Sequence, residues 1–343
     1  MKKHGNTLYI TTQGAFVSRD GENLVVSIDR VERLRLPIHT IAGAVSFGNV
    51  LWTPFALGLC GEHGVSVSMM TESGHFMARS CGPQTGNIVL RRAQHKASTN
   101  DDTISQAARS FIIGKITNAR TVLRRAQRDY FADTPSESID ATTRVFDQYL
   151  NQLLQPVPVD TVRGIEGEAA RRYFAVFDQL IRSQKKDFFL HERTRRPPMD
   201  RINTLLSFVY TLLVHDIVAA CESVGLDPQM GFLHVDRPGR PSLALDLMEE
   251  FRSWLADRLV LSLVNRGQVQ PKGFIIAENG SVKMDDDTRR TVLVAWKERK
   301  DTVLVHPFLN ERLPIGLVPY VQAQLFARWL RGDLDAYPPY FYR

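Results

Sequence analysis

This chain has few cysteines, and they lie far apart in the sequence. The three thiols are Cys60, Cys81 and Cys221, and no two of them form a CxxC pair. Zinc ribbons and disulfide frameworks need paired cysteines, so the sequence favours neither. Reduced, buried thiols in a cytoplasmic protein are the expected arrangement.

Uninterrupted apolar runs are missing too. The longest apolar stretch, about residues 202–221, is broken by Asn203, Ser207, His215 and Asp216. A membrane-spanning helix tolerates such residues poorly. We therefore expect a soluble protein that does not associate with a membrane.

Charge of one sign is only slightly in excess. The net charge is +6 over 343 residues, and 43% of the residues are apolar, which is ordinary for a folded protein. A small basic excess permits a polyanionic partner without requiring one. The distribution of the basic residues therefore matters more than their total.

Short β-rich runs occupy the first 80 or so residues. They are separated by turn residues, and the stretch from Trp52 to His63 is the one with helical spacing. Ser73-Gly74 is placed to turn a hairpin. The alternation of apolar and polar residues predicts a sheet with one buried face. The runs are residues 8–12, 24–28, 34–38, 44–47 and 65–70.

The pattern changes around residues 81–86, where two glycines and a proline cluster. From Asn87 onward, apolar residues recur with helical period. The sequence thus predicts an α+β protein, with a small β-sheet domain at residues 1–84 followed by a larger all-α domain at residues 85–343.

One carboxylate, Glu166, sits in a Gly-Ile-Glu-Gly segment that we expect to open a helix. Helical spacing puts Glu166 on the same face as Ala170, Tyr173 and Phe177, and turns Glu168 elsewhere. A carboxylate drawn toward a core needs a cation or a metal to remain charged. The alternative is a carboxylate that merely favours a helix N-terminus.

Two further segments follow one another. Gly-Phe-Leu-His ends at His234, and Ser-Leu-Ala-Leu-Asp-Leu-Met-Glu-Glu carries Asp246 and Glu249 three residues apart on one helical face. Ser253 and Asp257 continue that face, so a solvated polar stripe is an open alternative. A lone histidine is also more often structural than a ligand.

Carboxylates with a single imidazole suit Mg²⁺ or Mn²⁺. Such an ion polarises a phosphoryl oxygen and activates an oxygen nucleophile. Spacing permits Glu166, His234, Asp246 and Glu249 to meet, but it does not establish that they do.

The three motifs, in this order, resemble the signature of the CRISPR-associated protein one family, and Asp200 to Ser207 extends the match. The resemblance runs from end to end, and residues 316–320 with 337–340 resemble the subtype I-C branch. It implies that Glu166, His234 and Glu249 bind the metal. It also implies that Asp246 is an acidic residue of the site, either a direct or a water-mediated ligand.

The resemblance further implies a metal-dependent DNA endonuclease and integrase of CRISPR adaptation. Such an enzyme joins captured DNA fragments to the CRISPR repeat by transesterification. The implied partners are prespacer and repeat DNA, a second copy of the chain paired through the β domain, CRISPR-associated protein two, and CRISPR-associated exonuclease four. The alternatives are a less selective metal nuclease on branched or single-stranded DNA, and a basic scaffold without chemistry.

Basic residues cluster in two regions before and beside these motifs, and such side chains grip phosphates with little base specificity. A solvated helix face is the alternative for each. The candidate DNA-binding residues are Arg91, Arg92, Lys115, Arg120, Arg124, Arg195, Arg196 and Arg240.

Overall fold

The computed structural model describes residues 6–72, 76–82 and 88–343. Its first part holds two four-stranded sheets, where the sequence pattern predicts one. The first sheet is ordered β1 (Asn6–Ile10), β5 (Ile41–Phe47), β7 (Ser66–Met70), β8 (Phe76–Ser80). The second is ordered β4 (Val31–Pro37), β3 (Asn23–Ile28), β2 (Phe16–Asp20), β6 (Leu51–Trp52).

Strands β1, β5 and β7 pair in parallel, and β8 pairs with β7 antiparallel. The hairpin predicted here is therefore present, although its turn at Ser73-Gly74 lies outside the described residues. The predicted helix follows β6 as α1 (Pro54–Glu62), capped by Thr53, whose side chain accepts from the Ala56 amide.

The first sheet is buried on both faces, so the prediction of one buried face is wrong for it. Successive residues of a strand point to opposite sides. Ala44 accordingly packs with α1 and the second sheet, whereas Val45 and Phe47 pack into the helical core. The parallel strands make this sheet a layer between two cores.

The rest of the chain is mostly helical, as predicted. The helices are α2 (Ile88–Ala97), α3 (Asp101–Tyr130), α4 (Glu137–Leu153), α5 (Val159–Phe177), α6 (Arg201–Val224), α7 (Ser242–Met248), α8 (Arg258–Asn265), α9 (Asp286–Asp301) and α10 (Val318–Leu330), with a π-helical segment at Arg252–Asp257. Two short antiparallel ribbons depart from an all-α domain: β9 (Phe274–Ile276) with β10 (Val282–Met284), and β11 (Val303–Val305) with β12 (Arg312–Pro314).

Helix α6 runs through the centre of the helical body. Asp200 caps its start by accepting from the Asn203 amide at 2.7 Å, and Gly225 ends it with φ of 88°. It is long and apolar enough to cross a membrane by composition, but 67% of its most apolar stretch is buried inside the protein. This is the burial expected of a core helix.

The two parts of the chain are joined by polar contacts on α6. Ser68 Oγ of β7 lies 2.8 Å from His215 Nδ1. Lys300 of α9 pairs with Asp216 of α6 at 2.9 Å and also donates to Thr7 Oγ1 of β1 at 3.3 Å. Phe47 of β5 packs on Phe208, with ring centroids 5.8 Å apart. The domain boundary predicted after residue 84 falls within 83–87, outside the described residues, and stays a prediction.

Candidate metal centre

Glu166 lies in the second turn of α5, so the prediction that its segment opens the helix is wrong. The helix starts earlier, at Val159, because Val162 and Ile165 are buried against the core at helical spacing. Asp160 also favours a start there, since a carboxylate is stabilising in the first turn of a helix. The predicted face is otherwise present: Tyr173 and Phe177 are buried on it.

Asp246 is fully buried and holds the His234 loop in place. Its Oδ2 accepts from the backbone amides of Phe232 at 2.6 Å and Leu233 at 3.0 Å. Its Oδ1 accepts from the His234 amide at 2.9 Å and lies 2.7 Å from His234 Nδ1. Because a carboxylate only accepts, Nδ1 is the donor here, so in the neutral imidazole Nε2 is the nitrogen that carries the lone pair.

The glycine of Gly-Phe-Leu-His is required by this arrangement. A Cβ at Gly231 would lie 2.5 Å from the Ser242 Cβ and 3.1 Å from Asp246 Oδ2. Any larger residue would push the loop away from the carboxylate that orders it. The motif therefore reflects a close approach of backbone to side chain.

Glu249 lies just after α7, with 1% of its surface exposed. Its Oε1 is 4.0 Å from His234 Nε2 and 3.1 Å from the Arg252 guanidinium. Burial alone would raise its pKa, but Arg252, Lys115 and His234 outweigh that and lower the pKa to about 2. Glu249 is therefore anionic although it is buried.

Lys115 of α3 joins Glu166 to Glu249. Its ammonium forms an ion pair with Glu166 Oε1 and lies 2.8 Å from Glu249 Oε2. The sequence interpretation placed Lys115 on a DNA surface and missed this contact. Its position four residues after buried Phe111 was the available signal.

The solvated-stripe alternative is excluded by burial. Asp246, Glu249, Ser253 and Asp257 are all at most 4% exposed. The predicted continuous helix is also interrupted, since the π-helical segment follows α7 after a short turn. Asp257 accepts from the Tyr210 hydroxyl at 2.6 Å, and burial raises its pKa to about 6.

A segment near the end of the chain braces the residue next to Glu249. Buried Glu250 accepts from the Tyr337 hydroxyl at 2.5 Å, the Tyr340 amide at 2.6 Å and Gln322 Nε2 at 2.9 Å. Asn118 of α3 donates to the carbonyls of both Glu250 and Tyr340. This brace was not predicted, because nothing local connects residues so distant in the chain.

The donor set fits a divalent cation. Two carboxylates converge on one ammonium, and an imidazole with an available nitrogen lies beside them. Throughout 6–72, 76–82 and 88–343, no three acidic, cysteine or histidine side chains are already arranged as ligands. Lys115 supplies the positive charge between the carboxylates, and oxygen-rich sites with one imidazole suit Mg²⁺ or Mn²⁺.

The other basic candidates lie in different settings. Arg120 and Arg124 of α3 both pair with Asp147 of α4, Arg124 at 2.7 Å. Burial lowers the pKa of Arg240, which precedes α7. The remaining members are at least partly exposed; they are Arg91, Arg92, Arg195 and Arg196.

These features define a two-part protein whose helical body carries a buried centre of carboxylates, imidazole and lysine. The family model described as CRISPR associated protein Cas1 matches residues 8–298. The chain belongs to the Cas1 family.

Relatives of known name agree along the whole chain. It is 51% identical to CRISPR-associated endonuclease Cas1 1 of Chlorobaculum tepidum and 51% identical to CRISPR-associated endonuclease Cas1 2 of Rhodospirillum rubrum, each covering 100% of both chains. It is 32% identical to a CRISPR-associated exonuclease Cas4/endonuclease Cas1 fusion of Geobacter sulfurreducens, over 99% of this chain and 61% of the fusion. The predicted family and enzyme class are confirmed.

Solved structures share the fold. A Cas1 protein from Thermotoga maritima has a TM-score of 0.82 at 21% identity, covering 97% of this chain and 99% of its own. A casposase bound to integration product has a TM-score of 0.83 at 24% identity, and the match covers 98% of this chain and 94% of the casposase chain. A chain of the Cas6-RT-Cas1–Cas2 complex has a TM-score of 0.82 at 21% identity, and the match covers 100% of this chain and 37% of the chain in the complex.

Proposed function

We propose that this protein is a divalent-metal-dependent DNA endonuclease and integrase of CRISPR adaptation. It joins captured DNA fragments to the CRISPR repeat by transesterification. The observation that carries the proposal is the convergence of Glu166 and Glu249 on one cation beside His234 Nε2. The named endonuclease relatives and the casposase structure support it.

Glu166, His234 and Glu249 would hold Mg²⁺ or Mn²⁺, which when bound polarises a phosphoryl oxygen and activates the attacking hydroxyl. Asp246 orients His234 and fixes its tautomer, so it is a positioning residue. Its oxygens already meet four donors, which favours an indirect role over direct ligation.

The reaction exchanges one phosphodiester for another. The 3′ oxygen of the incoming fragment bonds to phosphorus, and the 3′ oxygen of the repeat strand leaves. Charge on the phosphate needs cations nearby, and Arg252 and Lys115 lie against Glu249 within reach of such a group. Positioning and charge therefore account for the chemistry expected of this site.

The proposed assembly is a homodimer that joins CRISPR-associated protein two in the cytoplasm, with CRISPR-associated exonuclease four trimming the DNA. Residues 1–84 would provide the dimer contact. The second sheet supports this, because Phe16, Leu34 and Leu51 expose 43%, 40% and 59% of their surface. The Cas1–Cas2 complex and the Cas4/Cas1 fusion among similar proteins support the other partners.

We further assign the chain to the subtype I-C branch. The support is the resemblance of Gly316–Tyr320 and Tyr337–Tyr340 to that branch. The second of these segments includes two tyrosines that brace Glu250.

The test uses a plasmid with a CRISPR repeat and a short duplex with free 3′ hydroxyls. Glu166→Ala should abolish metal-dependent cleavage and joining. Glu168 pairs with Arg171 on another face of the helix, so Glu168→Ala should retain both activities. Joining should require the partner protein and disappear with 3′-dideoxy ends. Cleavage without joining would identify a less selective nuclease, and DNA binding unaffected by metal would identify a scaffold.

A further inference from the structure

A cavity opens beside the metal centre, where the two parts of the chain meet. Its walls come from the end of β7, the loop before α6, α6 itself, β10 and the start of α9. Pro197, Phe208 and Met284 give it apolar surface. It lies outside the carboxylate cluster and has no role in the chemistry described above.

Three cations line this cavity: Arg195, Lys283 and Arg289. Within the described parts of the chain, neither Arg195 nor Lys283 has an ion pair. Arg289 has a side chain only 4% exposed, and its Nε lacks a hydrogen-bond partner among the described residues, although its other end pairs with Asp286. Glu72 is the single carboxylate among the lining residues. The charge balance favours an anion.

The cavity is connected to the metal centre through Arg195. This arginine also lines a second cavity, whose wall includes Lys115 and Arg252 of the centre. Along α6, Tyr210 lies under the Arg252 guanidinium at 5.1 Å, and Ser207, one turn away, faces the first cavity. A row of cationic and aromatic side chains thus leads from the candidate metal centre to the first cavity.

We propose that this cavity is a nucleotide subsite, which holds one nucleotide of the DNA strand whose phosphodiester lies at the metal centre. Arg195 and Lys283 contact its phosphate, and Phe208, Pro197 and Met284 contact its base. Apolar surface beside cations is the combination that single-stranded nucleic acid requires. The proposal rests on the proposed function, because it takes the strand from that reaction.

The experiment moves one 2-aminopurine along a single-stranded oligonucleotide and measures its fluorescence on binding. Glu166→Ala protein is used, so that the DNA is not cut. One position, or two adjacent ones, should differ from the rest, because the base there leaves the stack. The double variant Arg195→Ala with Lys283→Ala, made in the same background, should lose this position dependence. Its slope of log affinity against log salt should be lower by about 0.7, because both side chains contact the same single phosphate.

Arg290→Ala, which removes an exposed neighbour outside the cavity, should keep the signal and the salt slope. A signal that is uniform along the oligonucleotide, or unchanged in the double variant, overturns the subsite. Displacement of the signal by a free deoxynucleoside monophosphate at millimolar concentration would support the subsite, since the mononucleotide would compete with the strand for this cavity. Failure of the proposed function is distinct, because it is read from metal-dependent cleavage by the unsubstituted protein.

Discussion

Lys115 Nζ lies 2.8 Å from Glu249 Oε2 and also pairs with Glu166, so a lysine of α3 ties together the two carboxylates of the candidate metal centre. Two buried or half-buried anions so close together repel each other unless a cation lies between them. Lys115 meets that need within the protein itself. A divalent ion held by the same carboxylates would compete with the ammonium for them.

Replacing Lys115 with methionine should destabilise the metal-free protein and make it more dependent on metal. Removing one partner of a buried ion pair costs about 3–5 kcal/mol, and Arg252, which remains beside Glu249, should keep the loss near the lower limit. Thermal unfolding with and without Mn²⁺ measures this. The stabilisation by Mn²⁺ should be larger in Lys115→Met than in the unsubstituted chain. Equal melting temperatures and equal shifts would refute the role given to Lys115.

Asp246→Asn should weaken metal binding rather than remove it. An asparagine side chain brings an amide that donates toward the Phe232 and His234 donors, so the loop and the His234 tautomer lose their support. Changes to such supporting residues cost roughly 10–100-fold in metal affinity or activity. Titration of activity with Mn²⁺ should show partial recovery in Asp246→Asn at high metal. His234→Ala, which removes a proposed ligand, serves as the comparison and should not recover.

Acid should loosen the contact between the first sheet and α6. Burial lowers the pKa of His215 to about 4, with Asp216 opposing and Lys300 and Arg79 reinforcing the shift. A lowered histidine pKa means that the unfolded chain binds the proton more readily. Stability is therefore complete above about pH 6.5 and is lost as pH falls toward 4, by up to about 1.4 kcal/mol per pH unit.

The measurement compares denaturant unfolding of the unsubstituted chain and His215→Asn between pH 7 and pH 4. The variant binds no proton at this position, so its stability should fall less steeply. Other groups contribute equally to both proteins and cancel in the comparison. Parallel curves would show that His215 does not titrate in this range.

Removing Arg120 and Arg124 together should weaken binding to duplex DNA and lower the salt slope by about 1.8, from two contacts at about 0.9 each. Both arginines pair with Asp147, so Asp147→Asn should instead strengthen binding by freeing them. Arg171→Ala is the matched control, because it removes an exposed arginine paired with Glu168 on α5. If the salt slope is the same in all variants, this face of α3 is solvated rather than bound to DNA.

Much of the fold could be predicted from local sequence patterns. The short β-rich runs, the helix after Trp52 and the long helix α6 follow from periodicity and capping residues that act over a few positions. The parallel pairing of β1, β5 and β7 could not be predicted from local pattern. Parallel strands are joined by long crossover connections, so the pairing depends on contacts between distant parts of the chain. The burial of both faces of that sheet depends on the same crossing.

The site was predicted unevenly for a related reason. The motifs predict Glu166, His234, Asp246 and Glu249 as site residues, which stays a prediction, and helix geometry placed Glu166 toward the core. The roles that depend on long-range contacts were out of reach: Lys115 as a link, Asp246 as a support for backbone amides, and Tyr337 as a brace for Glu250. Apart from the position of Lys115 four residues after buried Phe111, no local pattern indicates these contacts.

The shared sheet also bears on how this protein can be divided. Val45 and Phe47 belong to the core of the helical body although they are carried by an N-terminal strand. A fragment that begins at α2 would leave the surface beneath them open to water, and apolar area of that kind promotes aggregation. The helical body is therefore not an autonomous module for expression or grafting, and a variant that exchanges N-terminal parts between relatives must carry matching residues on α6.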